Sequence, residues 1–258
     1  MPRGLSDYDS AVIQGRLWTP EVLRPALWLD AADLSTITIA TGVSEWRDKS
    51  GNARHASQAT PGNQPAYSEF SFSGRPGLTF DGTSDFLSMT AWSQVNGHNV
   101  FCVANTTSVG TGAVILMSRT VGSAPFSPAP YFGLVGSDRK PSIFWGSSSP
   151  SADLAIQASA VQRAAVFRWN FSTGTASTEV DGSNLSSSSH AQTALTNWTA
   201  IGSDFGSQHP AIVLSELLIV TSPGGAEAAA IHGYLSWKWG VRLAADHPYA
   251  NRPPLIGD

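Results

Sequence analysis

The sequence predicts an all-β fold: a two-sheet antiparallel sandwich with one C-terminal helix and an extended N-terminal arm. Three observations predict it. From residue 26 to about residue 223, short segments of alternating apolar residues are separated by clusters of Gly, Asn, Asp, Ser and Pro, the rhythm of half-buried strands joined by turns. Charged residues make up only 13% of the chain, with 24 Gly and 16 Pro; long helical bundles need charged faces and reject Gly and Pro inside them. Hydrophobic residues reach 41% and include nine Trp, enough apolar surface to fill the space between two sheets.

Residues 1–25 read as an arm. The segment carries charges of both signs and is interrupted at Pro20 and Pro25, whose fixed φ and missing N–H stop a helix or a central strand. Tyr8, Val12, Ile13, Leu17 and Trp18 lie in this arm. Apolar residues in a terminal extension need a surface to bury them, so they are expected to supply oligomer or anchoring contacts, closure of the chain's own sheet being the alternative.

Residues 26–258 form the main domain. Strands are predicted over 99–105, 113–117, 142–145, 165–171, 200–201 and 212–220. The clearest is 165–171, where Ala165, Phe167, Trp169 and Phe171 share one face while Arg168 and Asn170 point the other way. The nearly unbroken apolar run at 212–220 marks a strand in the middle of a sheet. Asp181-Gly182 after Ser-Thr-Glu-Val is a hairpin turn, because Gly takes positive φ without steric cost. One helix is predicted over 223–239: Ser222 as N-cap, Pro223 at N1, a stripe of Ile231, Leu235 and Trp239, and Gly240 as the stop. Residues 240–258 read as a tail along the surface.

The net charge of −4 comes with no basic run able to neutralise a row of phosphates, which argues against nucleic acid as a partner. Cys102 is the single cysteine, so no intrachain disulfide forms, and its apolar neighbours make it a small buried hydrophobe. No stretch approaches the roughly 18 apolar residues of a membrane span, and the N-terminus lacks the apolar core of a signal peptide.

Several motifs then carry a resemblance: Leu27-Trp28-Leu29-Asp30-Ala31-Ala32-Asp33; Trp46-Arg47-Asp48-Lys49-Ser50-Gly51-Asn52 followed by His55-Ala56; Gly77-Leu78-Thr79-Phe80-Asp81-Gly82 with Asp85-Phe86-Leu87; Ser215-Glu216-Leu217-Leu218-Ile219; Ile231-His232-Gly233-Tyr234-Leu235; Lys238-Trp239-Gly240; and Ala245-Asp246-His247-Pro248-Tyr249. In order and spacing they resemble the laminin G-like branch of the concanavalin A-like lectin/glucanase jelly rolls, in the form frequent in bacteriophage and prophage virion proteins. The resemblance spans about residues 26–250. It implies a concanavalin A-like jelly roll and a virion structural protein (fibre, tail or capsid decoration) at the virion surface, made in the host cytoplasm without a signal peptide. It further implies contacts with other virion proteins, a homo-oligomer with a trimer as first expectation, and binding to host surface polysaccharide. A bacterial carbohydrate-binding adhesin and a degenerate or unrecognised glycoside hydrolase are the alternatives.

Glycoside hydrolysis needs two carboxyl groups flanking the scissile bond. The glucanase branch carries them as Glu-x-Asp-x-x-Glu on one strand, and this chain has no such run; Glu216 stands alone among apolar neighbours and reads as a structural carboxylate, either paired or at an edge. No nucleophile elbow, His-Glu-x-x-His motif or phosphate loop occurs, and the six His never fall at metal-ligand spacing. The expectation is a protein that is not an enzyme, with no catalytic residues and no cofactor apart from Ca²⁺. Asp48, Ser50 and Asn52 put three side-chain oxygens at alternate positions of a Gly-containing loop, an arrangement able to gather a calcium ion; an Asx-turn without metal is the competing arrangement. Sugar recognition needs an aromatic platform with polar groups beside it, and Phe126, Tyr131, Asp138, Trp145, Asp204 and Phe205, in or beside polar loops, are the carbohydrate-binding candidates. Trp28, Trp46, Trp169 and Trp239 are assigned to the core.

Overall fold

The computed structural model describes residues 17–94, 97–105, 113–117, 131–135, 140–144, 161, 163–172, 174–189, 196–203 and 209–258. The first strands are β1 (Leu27–Asp30), β2 (Ile37–Ile39), β3 (Val43–Trp46), β4 (Ala56–Ser57), β5 (Ala66–Phe72), β6 (Arg75–Asp81), β7 (Leu87–Gln94) and β8 (His98–Asn105). Then follow β9 (Ala113–Met117), β10 (Tyr131–Val135), β11 (Lys140–Phe144), β12 (Ala164–Ser172), β13 (Thr175–Val180), β14 (Ser183–Ser189), β15 (Thr196–Ile201), β16 (Ala211–Thr221) and the helix α1 (Gly225–Trp239).

Among the described residues these strands build two antiparallel sheets, as the sequence predicts. One runs β14-β13-β12-β8-β16-β6-β5, with β1 also on β16; the other runs β11-β10-β9-β15-β7-β4-β3-β2. The apolar strand β16 is central: β8 pairs along its length, while β6 takes residues 211–214 and β1 residues 216–219 of its other edge. The sheets meet through rings. Phe132 lies 6.4 Å from Trp169 and 6.1 Å from His98, which stacks on Phe171 at 5.4 Å. Phe167 and Trp169 are fully buried, so the predicted register of β12 holds.

The predicted hairpin is present, with Asp181 and Gly182 both at positive φ, 52° and 81°, between β13 and β14. Its second strand, Ser183–Ser189, is too polar to show in the hydrophobic pattern; it stands at the sheet edge, where one-sided pairing suffices.

Helix α1 lies across the outer face of the first sheet, with Ile231, Leu235 and Trp239 buried and His232 5.3 Å from Phe101 of β8. It starts two residues later than predicted. Ser222, the expected N-cap, sits at φ 44° and directs both its N–H and its Oγ to the Gly97 carbonyl, so it is not free to cap; Gly224 takes that place and its N–H donates to Glu227 Oε2 at 2.7 Å. At the other end Gly240 has φ 68° and the Val241 N–H returns to the Ser236 carbonyl at 3.0 Å.

The ends of the chain differ from the sequence expectation. Leu17 bridges Leu255, the Trp18 N–H donates to the Pro254 carbonyl at 3.1 Å, and the Trp18 ring meets Tyr234 edge-on at 6.5 Å. These two arm residues are therefore used within the chain's own fold; Tyr8, Val12 and Ile13 lie outside the described residues. The tail is not a surface strip either: Val241, Leu243, Tyr249 and Ala250 are buried, and Trp237 Nε1 donates to the Tyr249 carbonyl at 2.9 Å. Among the described residues no helix is long and apolar enough to cross a membrane.

Candidate functional site

The alternation of β12 that buries Phe167, Trp169 and Phe171 turns Arg168, Asn170 and Ser172 to the outer face. Antiparallel pairing continues the two polar positions sideways: Asn170 stands between Asn99 of β8 and Ser177 of β13, and Arg168 between Phe101 and Glu179. Helix α1 covers the Phe101 part of this face. Beyond the helix start an open polar groove of about 390 Å³ remains, lined by Gly97, Asn99, Arg168, Asn170, Ser172, Ser222 and Pro223. Gly97, at φ 84°, closes one end; a Cβ there would run into Ser222 Oγ.

The groove is held rigid by its own hydrogen bonds. Arg168 Nε donates to Asn99 Oδ1 at 2.8 Å and Nη1 to Glu179 Oε1 at 2.6 Å. Glu179 Oε2 lies 3.1 Å from His232 Nε2 of the helix. Burial works to raise the Glu179 carboxyl, but the His232 hydrogen bond and the Arg168 charge hold it down to about 2. Ser172 Oγ donates to Asn170 Oδ1 at 2.7 Å, and Asn170 Nδ2 donates to Ser177 Oγ at 3.4 Å. Arg168 has five N–H groups in a fixed fork, and these contacts orient it in the lining of the groove. Neutral amides, hydroxyls and an ion-paired guanidinium at fixed spacing can hold and orient a polyhydroxylated ligand.

Of the carbohydrate-binding residues chosen from sequence, Tyr131 alone is among the described residues. Tyr131 begins β10 of the opposite sheet, its backbone paired with Met117 and Phe144; Phe126, Asp138, Trp145, Asp204 and Phe205 lie outside the described residues. The loop of Asp48, Ser50 and Asn52 is closed by hydrogen bonds. Asp48 Oδ1 accepts from the Trp28 and Ser50 N–H groups at 3.0 and 2.9 Å, and Oδ2 from Ser50 Oγ and the Arg54 N–H at 2.7 and 3.1 Å. This is the pattern of the Asx-turn arrangement, and no cluster of three or more His, Cys, Asp or Glu able to hold a metal occurs among the described residues. The groove residues Arg168 and Asn170 were visible in the sequence only as the wet side of a strand; their neighbours Asn99 and Ser222 come from distant segments.

Glu216 is paired, one of the two structural arrangements its isolation in the sequence left open. Fully buried beneath α1, it accepts from Trp28 Nε1 at 2.7 Å, Trp239 Nε1 at 2.5 Å and Tyr234 Oη at 3.2 Å. Lys238 Nζ lies 2.9 Å from it and 2.7 Å from Asp30, which Lys49 approaches at 2.8 Å. Burial works to raise the Asp30 carboxyl, and the Lys238 and Lys49 charges overcome it and hold the group below its ordinary value. Burial and the Asp30 charge beside it lift Glu216 above its own. Lys238, which burial alone would lower, is pushed up to about 12 by the two carboxylates.

No family model matches the chain, and no curated protein does. Its fold is shared with solved structures. Domain 4 of AbnA, a GH43 extracellular arabinanase from Geobacillus stearothermophilus solved with arabinotriose, aligns with a TM-score of 0.52 at 13% identity over 76% of this chain and 92% of that domain. An arabinofuranosidase complexed with arabinofuranosyl-α-1,2-xylobiose aligns at 0.54 and 12% identity over 88% of this chain and 60% of that one. Trypanosoma rangeli sialidase in complex with sialic acid aligns at 0.52 and 13% identity over 82% of this chain, which spans 33% of the sialidase. At these identities the likeness is one of fold, a jelly-roll-like sandwich. It also corrects the expectation that the chain is not an enzyme: the neighbours named are an arabinanase, an arabinofuranosidase and a sialidase. The missing Glu-x-Asp-x-x-Glu run sets aside the chemistry of one glucanase branch and not catalysis as such.

Proposed function

We propose that this chain is a glycan-binding sandwich carried at the surface of a phage particle, with the groove at Asn99, Arg168, Asn170 and Ser172 as its sugar site. The observation that carries the reading is the groove itself. Its amides, hydroxyls and oriented guanidinium present paired donors and acceptors of the kind that replace water around vicinal hydroxyls. The fold it shares with an arabinanase domain solved with arabinotriose supports the same class of ligand. The virion setting, with contacts to other virion proteins and a trimeric homo-oligomer, rests on the sequence motifs that resemble phage jelly rolls. An open polar groove gives weak single-site affinity, and many copies on one particle would turn it into firm adhesion.

Screening the multimerised full chain on an array of bacterial surface polysaccharides tests the reading, with reducing-end release measured on the same samples to separate holding from cleavage. Asn170→Ala should weaken the signal roughly tenfold, the loss of one or two hydrogen bonds to ligand. An unchanged signal in that variant, or silence from the wild type, overturns the groove as the site.

A further inference from the structure

We propose that Lys238 and Asp30 condense into an amide that ties helix α1 covalently to strand β1, with Glu216 moving the protons. This goes beyond the glycan-binding reading and does not depend on it. The reactants are already in contact: Lys238 Nζ lies 2.7 Å from Asp30 Oδ1 and 2.9 Å from Glu216 Oε2. Strand pairing brings the two carboxyl groups together, since Asp30 of β1 stands opposite Glu216 of β16, and the last turn of α1 places the lysine between them. A plain ion pair needs one carboxylate. The second, on a fully buried glutamate, adds a like charge that burial makes costly unless the group holds a proton.

The surroundings suit condensation. Trp28, Tyr234 and Trp239 are buried and wall the cluster from water, whose release the reaction requires. Their polar hydrogens fix Glu216, at 2.7, 3.2 and 2.5 Å. Burial favours a neutral amine and acid over an ion pair, and with the Asp30 charge it lifts the Glu216 carboxyl above its ordinary value. Lys238 rests as an ammonium, pushed up to about 12, so the amine is a minor species and the condensation is slow. A single turnover per molecule is enough, and a nucleophile packed against its target carbon gains a high effective concentration. One Nζ proton crosses to Asp30 along the 2.7 Å contact, leaving an amine and a carboxylic acid. The nitrogen lone pair attacks Cγ, and the carbonyl electron pair moves onto the oxygen that Lys49 approaches at 2.8 Å. Glu216 gives its proton to the departing hydroxyl and takes one from the nitrogen. Ammonium and carboxylate become amide and water, Glu216 returns to its starting state, and no oxidant or cofactor enters.

The test is the mass of the purified full chain, measured under denaturing conditions after prolonged incubation at neutral pH. The wild type should become lighter by one water, and a protease digest should yield a branched peptide joining Asp30 to Lys238. The branched peptide decides the matter, because imide closure at Asp181-Gly182 would also expel water. Asp30→Ala and Lys238→Met should give no such peptide. Glu216→Gln, which keeps the side-chain shape and whose melting is checked against the wild type, should form it roughly a hundredfold more slowly. Wild-type protein that keeps its full mass overturns the proposal, as does water loss without the branched peptide. A Glu216→Gln chain that cross-links at the wild-type rate overturns the assignment of the proton transfers to Glu216.

Discussion

Lys238 joins the helix to the sheet through charge. Its side chain is 10% exposed, between Asp30 of β1 and Glu216 of β16, and Trp28, Tyr234 and Trp239 complete the shell with their polar hydrogens. Replacing Lys238 by Met keeps the bulk and leaves two buried carboxylates facing each other, so Lys238→Met should cost about 3–5 kcal/mol, read as a fall in the denaturation midpoint; a loss under about 1 kcal/mol would sink the assignment. Glu179 carries a separate, acid-sensitive share of stability. Its carboxyl sits at about 2 in the fold against an ordinary value of 4.5, so the contribution is present above about pH 4.5 and fades as pH falls toward 2. The size is about 3 kcal/mol by linkage. Glu179→Gln should flatten the fall of melting temperature over that window, and parallel curves would contradict it. Both clusters show what the sequence made legible. The Leu-Trp-Leu-Asp, Ser-Glu-Leu and Lys-Trp-Gly motifs are spread over residues 27–240 yet supply one buried network, which is why they signal a fold. The groove was not legible in the same way, because Asn99, Asn170 and Ser222 are ordinary polar residues until strand pairing sets them side by side.

At the scale of elements, the Asp181-Gly182 hairpin and the Asp48 loop were each readable from a few residues, for opposite reasons. The hairpin needs positive φ at both turn positions, and in Gly182 that demand is doubled: a Cβ would also run into the His247 ring of the C-terminal tail. Gly182→Ala should therefore cost more than the roughly 1–2 kcal/mol of a left-handed non-glycine residue alone, measured by chemical denaturation; a cost below that range would show that the tail yields freely. The Asp48 loop left two arrangements open because alternating oxygens serve calcium and turns alike. With both carboxylate oxygens taken by four donors, the expected melting midpoint is the same with and without chelator. A chelator-dependent drop would mean that the ion reorders these bonds. Helix α1 was readable by its Ile231, Leu235 and Trp239 stripe, whereas its start was not, since the pull of Gly97 on Ser222 is a long-range contact invisible to local capping rules.

On the scale of the whole molecule, the question is where the arm ends and the sandwich begins. Local sequence placed that boundary after residue 25, at the second proline, but the fold reaches back to residue 17. Leu17 is 6% exposed and bridges Leu255, Pro20 is buried in a 3-10 turn, and Trp18 packs on Tyr234 of the helix. The prolines failed as a boundary because they stop regular structure without stopping burial. These contacts also tie the beginning of the chain to its end, since the partners are Pro254 and Leu255, so the tail depends on the arm's last residues. Two truncations separate the roles. Removing residues 1–16 should leave the melting midpoint unchanged, and if this segment anchors the protein it should abolish self-association and joining to particles, read by light scattering and co-sedimentation. Removing residues 1–20 should in addition cost about 1.5–3 kcal/mol for the lost Leu17 burial alone, with more from Trp18, and should release the tail to early proteolysis. If the shorter truncation assembles normally, the anchor lies within residues 17–258. If the longer one melts like the wild type, the bridge between Leu17 and Leu255 contributes nothing and the boundary returns to the prolines.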